Sequence, residues 1–285
     1  MKRIGIEYDT PDQASYIPQV ENMVTKAGCS YEILTSEDII NGKLFGFDAV
    51  IFPGGLGPFY GLRNYDGFAE AVRYFVSNGG GYMGICGGAY VAGLAMSQTL
   101  YSLCPKTLGL IDATIVSPPW IRYWTQYREA AGKRVAVSCK IAEEAHPITA
   151  PYQGQVIELV YSGGPLIRDL GPRVTPLLTY VDDIMTPGDV ALCCSIFGKG
   201  RVVICSPHAE APWGEELVNT GCQEWLYLNM ISWVSQPEEK ASFPFLPWKI
   251  TKVGIPYPVI PAAVALSLGV VTTLTLSQIF KKKTS

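Results

Sequence analysis

The chain of 285 residues has only two histidines, His146 and His208, so any imidazole chemistry rests on one or both of them. Its eight cysteines, at 29, 86, 104, 139, 193, 194, 205 and 222, contain no Cys-x-x-Cys pair, which argues against a zinc ribbon or finger. Acidic residues are missing after Glu239, while five of the 22 basic ones lie from Lys249 onward. Residues 1–248 therefore carry 17 minus 25, or −8, and a domain that acidic is a poor nucleic-acid binder. No charge at all occurs from Val253 to Phe280, and no internal repeat is found.

That uncharged run predicts a C-terminal membrane anchor over 258–280. As a helix, Ala262 to Phe280 would span about 28 Å, enough for the hydrocarbon core of a bilayer. Lys281, Lys282 and Lys283 follow in a basic tail, 281–285, placed to reach a headgroup layer. A proline-rich linker, 236–257, precedes the anchor and suits a stiff spacer. By the positive-inside rule, the lysines after the run favour a cytosolic tail and a globular domain on the other side of the membrane. The N-terminus, "MKRIGIEYDT", goes straight into a strand without a signal peptide's apolar region, and this argues for a cytosolic globular domain with reduced cysteines. On that reading the protein is a single-pass membrane protein. In a eukaryote, Lys282-Lys283-Thr284-Ser285 has the form of a dilysine retrieval signal and points to the endoplasmic reticulum.

The remaining chain, 1–235, reads as one α/β domain. "RIGIEY", "YEIL", "FDAVIF" and "GYMGI" are short strands, and the continuous apolar run before Pro53-Gly54-Gly55 is that of a strand covered on both faces. "ASYIPQVENMVTKAG" reads as a helix ending on Gly28, and "YDGFAEAVRYFVSNGG" spaces Phe68, Val72, Phe75 and Val76 as one helical face. Alternation of this kind predicts a flavodoxin-like, doubly wound, mostly parallel sheet with ligands at the carboxyl ends of its strands. From Ala113 to Leu178 shorter, turn-rich strands predict an antiparallel β extension. "VALCCSIFGKGRVVICSPHAEA" is a hairpin turning at Gly198-Lys199-Gly200, and 214–235 is the last helix.

Gly84-x-Cys86-x-Gly88, between a strand and a helix, has the spacing of a nucleophile elbow. The turn is too tight for side chains beside the nucleophile, whose thiol then points off the sheet into an open cavity. The free N–H groups of the following helix favour the anionic form. The N–H of Gly87 and one from the Pro53-Gly54-Gly55 loop, assigned to Gly55, would form an oxyanion hole. His208 lies just past the end of a later strand on the same sheet edge, with Glu210 two residues on, which gives Cys86, His208 and Glu210 the roles of nucleophile, base and orienter. Gly54, Tyr90, Tyr161 and Gly163 are candidate substrate contacts, and Tyr82, Trp120, Tyr123 and Trp124 further candidates for a pocket wall. Cys193, Cys194 and Cys205 sit within apolar strands as small core residues, and His146 reads as structural or surface.

The segments "FPGG" (52–55), "FVSNGGGYMGICGGAY" (75–90), "YSGGP" (161–165) and "FGKGRVVICSPHAE" (197–210) resemble the class I glutamine amidotransferase-like superfamily. Within it they are most similar to the N-terminal domain of biotin-protein ligases. The resemblance implies the superfamily's nucleophile at Cys86 and its base and orienter at His208 and Glu210. Glutamine amidotransferases continue the elbow as Gly-His-Gln, whereas here it runs Gly88-Ala89-Tyr90, which argues against glutamine as the substrate. The residues after Ser235 leave no room for a biotin-transferring domain. Two readings stay open: a hydrolase acting on a small amide or related carbonyl, needing no metal or organic cofactor, and a non-catalytic module that binds a small ligand or partner in the same pocket.

Overall fold

The structure is a computed structural model, and it describes residues 1–9, 16–96, 106–118, 135–181, 185, 187–211 and 221–236. By its internal contacts the chain divides into Met1–Lys252 and Val253–Ser285, and every described residue belongs to the first unit. The expected anchor and basic tail, most of the linker, Trp120, Tyr123 and Trp124 lie outside the described residues. Among the described residues no helix is long and apolar enough to cross a membrane.

The elements run β1 (Arg3–Glu7), α1 (Ile17–Lys26), β2 (Ser30–Leu34), α2 (Ser36–Ile40), β3 (Ala49–Phe52), α3 (Gly57–Asn64), α4 (Phe68–Ser77), β4 (Gly81–Ile85) and α5 (Gly87–Ala92). They continue with β5 (Gly93–Met96), β6 (Ile111–Val116), β7 (Val135–Ile141), β8 (Val156–Tyr161), β9 (Leu166–Arg168), β10 (Thr175–Tyr180), β11 (Val190–Phe197), β12 (Gly200–Cys205) and α6 (Gly221–Val234). A short 3-10 turn covers Lys43–Gly46.

One sheet carries the fold, in the order β2-β1-β3-β4-β12-β11-β10-β7-β8. The first five strands are parallel, with the order of a flavodoxin-like sheet. From β12 onward the pairing is antiparallel, so the expected extension is continuous with the parallel half. Strands β5, β6 and β9 form a ribbon attached through β11.

Alternate residues of the parallel strands feed two cores. Ile4, Ile6, Ile51 and Met83 meet α1 and α6 through Val20, Val24, Leu226, Tyr227 and Met230. Val50, Phe52 and Tyr82 face the opposite way, toward α2 to α5. Both faces being covered is the reason these strands are apolar without a break. Phe68, Val72, Phe75 and Val76 of α4 are fully buried, as their spacing predicts, and each contributes about 1.5–3 kcal/mol by leaving water. The first helix begins at Ile17, with Pro18 in its first turn, where a missing N–H costs nothing.

Two helices run through sequence that shows no helical period. In α2, Thr35 accepts from the N–H of Asp38 while the Asp38 carboxylate accepts from the N–H of Thr35, a capping box that nucleates five residues. The next, α3, opens on Gly57-Pro58 and includes Gly61, whose missing side chain lets Phe68 and Ser36 pack against its backbone.

Candidate active site

The neighbouring strands β4 and β12 deliver Cys86 and His208 to one edge of the sheet. Their parallel register, Val202 opposite Tyr82 through Cys205 opposite Ile85, puts Cys86 and Ser206-Pro207-His208 just past the same edge. The N–H of Cys86 donates to the Cys205 carbonyl at 2.9 Å, extending the ladder by one bond before the chain turns.

Cys86 turns at φ 47°, ψ −99°, a conformation a residue with a Cβ adopts only when its surroundings hold it, at a cost of about 1–3 kcal/mol. Those surroundings are identifiable. The N–H of Gly88 donates to the Pro53 carbonyl at 3.1 Å, the N–H of Tyr90 donates to the Cys86 carbonyl at 3.0 Å, and the Tyr82 hydroxyl donates to the Gly88 carbonyl at 2.7 Å. A Cβ on Gly87 would collide with the Gly55 carbonyl oxygen, and one on Gly88 with that of Phe52. The glycines are therefore required because the elbow and the Pro53-Gly54-Gly55 loop touch backbone to backbone. Gly55 itself has φ 87°. Among the described residues the N–H groups of Gly55 and Gly87 have no backbone acceptor.

His208 is held on three sides. Its N–H donates to the Val160 carbonyl at 2.7 Å, an isolated antiparallel bridge to β8. Tyr16 meets the imidazole edge to face at 4.9 Å. Nδ1 of His208 lies 2.8 Å from Oε1 of Glu210, and both side chains are buried. Burial alone disfavours the imidazolium. The Glu210 charge and then the Cys86 sulfur, as charge and hydrogen-bond partner, outweigh it and hold the His208 pKa well above the ordinary value. With Nδ1 engaged, Nε2 is left for the sulfur, at a geometry short of a full hydrogen bond. Catalytic hydrogen bonds often tighten only when substrate is bound.

The thiol is more enclosed than the expectation of an open cavity: Cys86 is 6% exposed. The cover is the segment 161–165, whose Ser162 carbonyl stands 3.7 Å from Sγ. Two hydroxyls fix this segment, Tyr90 donating to the Gly163 carbonyl at 3.0 Å and Tyr161 to that of Gly164 at 2.5 Å. The Tyr161 ring is itself buried, edge-on to Tyr180. It supports the segment from the core side, as Tyr82 supports the elbow.

The structure thus brings Cys86, Gly54, Gly55, Gly87, Tyr90, Tyr161, Gly163, His208 and Glu210 to one end of the sheet. Sequence reasoning did not find Tyr16, whose aromatic type carries no site signature, nor the carbonyls of Val160 and Ser162, which are backbone groups and leave no trace in residue identity.

A second cysteine and histidine also meet. His146 Nε2 lies 3.6 Å from Cys194 Sγ, and its Nδ1 accepts from the N–H of Ile148 at 3.2 Å. Trp233 packs on His146, and Arg201 lies over Trp233. Burial, helped by the Arg201 charge, lowers the His146 pKa. Burial pushes the Cys194 thiol up to about 12 against a smaller opposing pull from Arg201.

The fold is shared with solved structures of low sequence identity, among them one titled glutamine amidotransferase. A structure titled PurLQS, from Thermotoga maritima, superposes with a TM-score of 0.55 at 16% identity, over 82% of this chain and 99% of that one. A structure titled glutamine amidotransferase superposes with a TM-score of 0.51 at 18% identity, over 79% and 98%. A ThuA-like protein from Bacteroides uniformis does so with 0.55 at 17%, over 82% and 90%. The chain belongs to the family described as biotin-protein ligase, N terminal, whose model matches residues 45–267. Cobyric acid synthase from Syntrophobacter fumaroxidans is 44% identical over 58 residues, which are 20% of this chain and 11% of that protein.

Proposed function

We propose that the chain is an amidotransferase-like hydrolase in which Cys86 attacks a small amide or related carbonyl. The observation that carries this reading is the buried His208 and Glu210 pair, 2.8 Å apart, facing a cysteine in a strained elbow. The Cys86 sulfur forms a bond to the carbonyl carbon, and the carbonyl electrons move onto oxygen, toward the N–H groups of Gly55 and Gly87. His208 gives its proton to the leaving nitrogen as the C–N bond breaks, releasing ammonia or an amine. It then takes a proton from the water that hydrolyses the thioester to a carboxylic acid. Glu210 keeps the imidazole oriented and balances its charge. The segment at Ser162 has to move for substrate to reach the sulfur.

That enclosure favours a second reading, a ligand-binding module that keeps the elbow without turnover, and Ala89-Tyr90 in place of His-Gln agrees with it. We further propose a single-pass tether to a membrane through 258–280, which rests on the uncharged run. Deleting 258–285 is expected to move the protein from the membrane pellet to the soluble fraction.

The two readings part in one experiment. In the full-length chain, alkylation at Cys86 is followed by mass spectrometry across pH, alongside Cys86→Ser and His208→Ala. Fast modification that collapses in His208→Ala supports catalysis, and release of ammonia from a panel of small amides establishes it. Slow modification indifferent to His208 sinks the hydrolase reading.

A further inference from the structure

We propose that the hydroxyl of Tyr227, on α6, holds the second carboxylate oxygen of Glu210 and so positions the imidazole of His208. This inference rests on the Cys86, His208 and Glu210 reading and deepens it. Glu210 spends Oε1 on His208, while Oε2 is buried with no hydrogen-bond partner among the described residues. Buried carboxylate oxygens are normally paired, and an ionised one in particular needs donors.

The buried tyrosine hydroxyls of the core are candidate donors. Tyr82, Tyr161, Tyr180 and Tyr227 are fully buried. The first three donate, to the Gly88 carbonyl, the Gly164 carbonyl and the Ser206 hydroxyl. The Tyr227 hydroxyl is buried and has no hydrogen-bond partner among the described residues. Its ring belongs to the same core as Cys205, at the end of β12, and Ala209, which sits between His208 and Glu210 in the chain. Burial first, then the charges of Glu210 and Cys205, raise the Tyr227 pKa, so the phenol keeps its proton and remains a donor. In this structure the two oxygens stand beyond direct hydrogen-bond geometry. A side-chain rotation or one buried water closes such a pair.

A donor on Oε2 fixes the rotation of the Glu210 carboxylate and so keeps Oε1 on Nδ1 of His208, where its charge raises the imidazole pKa. Tyr227 is a positioning residue in this scheme and never touches substrate. The test uses the full-length chain with two readouts, imidazole titration by NMR and the rate of Cys86 alkylation. With two histidines in the chain, a His146→Gln spectrum assigns both signals.

Tyr227→Phe is expected to move the His208 midpoint to lower pH and to slow Cys86 alkylation at pH 7 about tenfold. In a Glu210→Gln background the same change should add nothing, which a merely structural role would not produce. Replacing Tyr227 by meta-fluorotyrosine, a stronger donor of nearly the same shape, should move the midpoint the other way, and it serves if the phenylalanine variant does not fold. If Glu210→Gln alters both readouts and neither Tyr227 replacement does, Tyr227 has no part in the site. If His208→Ala and Glu210→Gln also leave alkylation unchanged, the three-residue reading fails and takes this inference with it.

Discussion

Among the described residues cysteine meets histidine twice, and the two meetings are built to opposite ends. At His146 a backbone N–H occupies Nδ1, so the neutral ring carries its proton on Nε2 and offers it to Cys194. At His208 a carboxylate occupies Nδ1, so the ring gains from being charged. The first pair leaves a thiol at about 12, beyond deprotonation at physiological pH. The second sets a cation beside a sulfur. What separates a packing contact from a chemical one is the third group behind the imidazole, not the pair itself.

The sharpest way to break this contrast is to remove each ring. His208→Ala leaves Glu210 buried without its partner and should cost about 3–5 kcal/mol of unfolding free energy, whereas His146→Ala removes a neutral contact and should cost about 1–2 kcal/mol. Equal losses in urea denaturation would show that the carboxylate does not distinguish the sites. Next in size is thiol reactivity. At pH 7 Cys86 should be alkylated at least about a hundredfold faster than Cys194, whose thiolate fraction is negligible with a pKa of about 12. Comparable rates by peptide mass spectrometry would erase the difference.

A second buried carboxylate, Glu7, extends the comparison. Both oxygens of Glu7 are buried without hydrogen-bond partners among the described residues, packed on Gly57 at the start of α3. Burial, with a smaller contribution from Asp9, raises its pKa well above the ordinary carboxylate value. The folded protein therefore holds this proton more tightly than the unfolded chain does. Stability is full below the unfolded pKa of about 4.3 and falls as pH rises above it toward the folded value. Glu7→Gln cannot ionise, so the loss between pH 4 and pH 8, on the order of 1–3 kcal/mol, should shrink in thermal melts across that range. An unchanged slope would show that Glu7 has a partner when ionised. The smallest effect concerns the cover over the thiol: Tyr90→Phe deletes the bond to the Gly163 carbonyl, worth about 1 kcal/mol. It should speed Cys86 alkylation a few-fold, and slower modification would mean the hydroxyl does not restrain that segment.

Much of this was readable in the residues. Buried strands covered on both faces announce themselves by unbroken apolar runs, hence β3 and β4, and the glycines around Cys86 report a backbone approach that no other residue permits. By contrast, α2 is too short to show a period, and glycine with proline at the start of α3 reads as loop. Glu7, a charge closing an apolar strand, looks like a solvent-facing strand end from its neighbours alone, yet the start of α3 covers it. The two Cys and His pairs could not be ranked by their side-chain types, because the group that sets His146 apart is the N–H of Ile148. Tyr227 reads as one more apolar-face residue of α6, and only the fold buries it in the core that also holds Cys205 and Ala209.

The register between β4 and β12 also limits how this site can change. Cys86 and His208 leave the sheet from adjacent strands locked by four paired residues, and a slip of one residue would turn every side chain of a strand to the wrong core. Their separation is thus as fixed as the sheet. Divergence toward a new substrate is left to the connections above it, the Pro53 to Gly57 turn and the Ser162 segment, which can be rewritten without disturbing the distance between sulfur and imidazole.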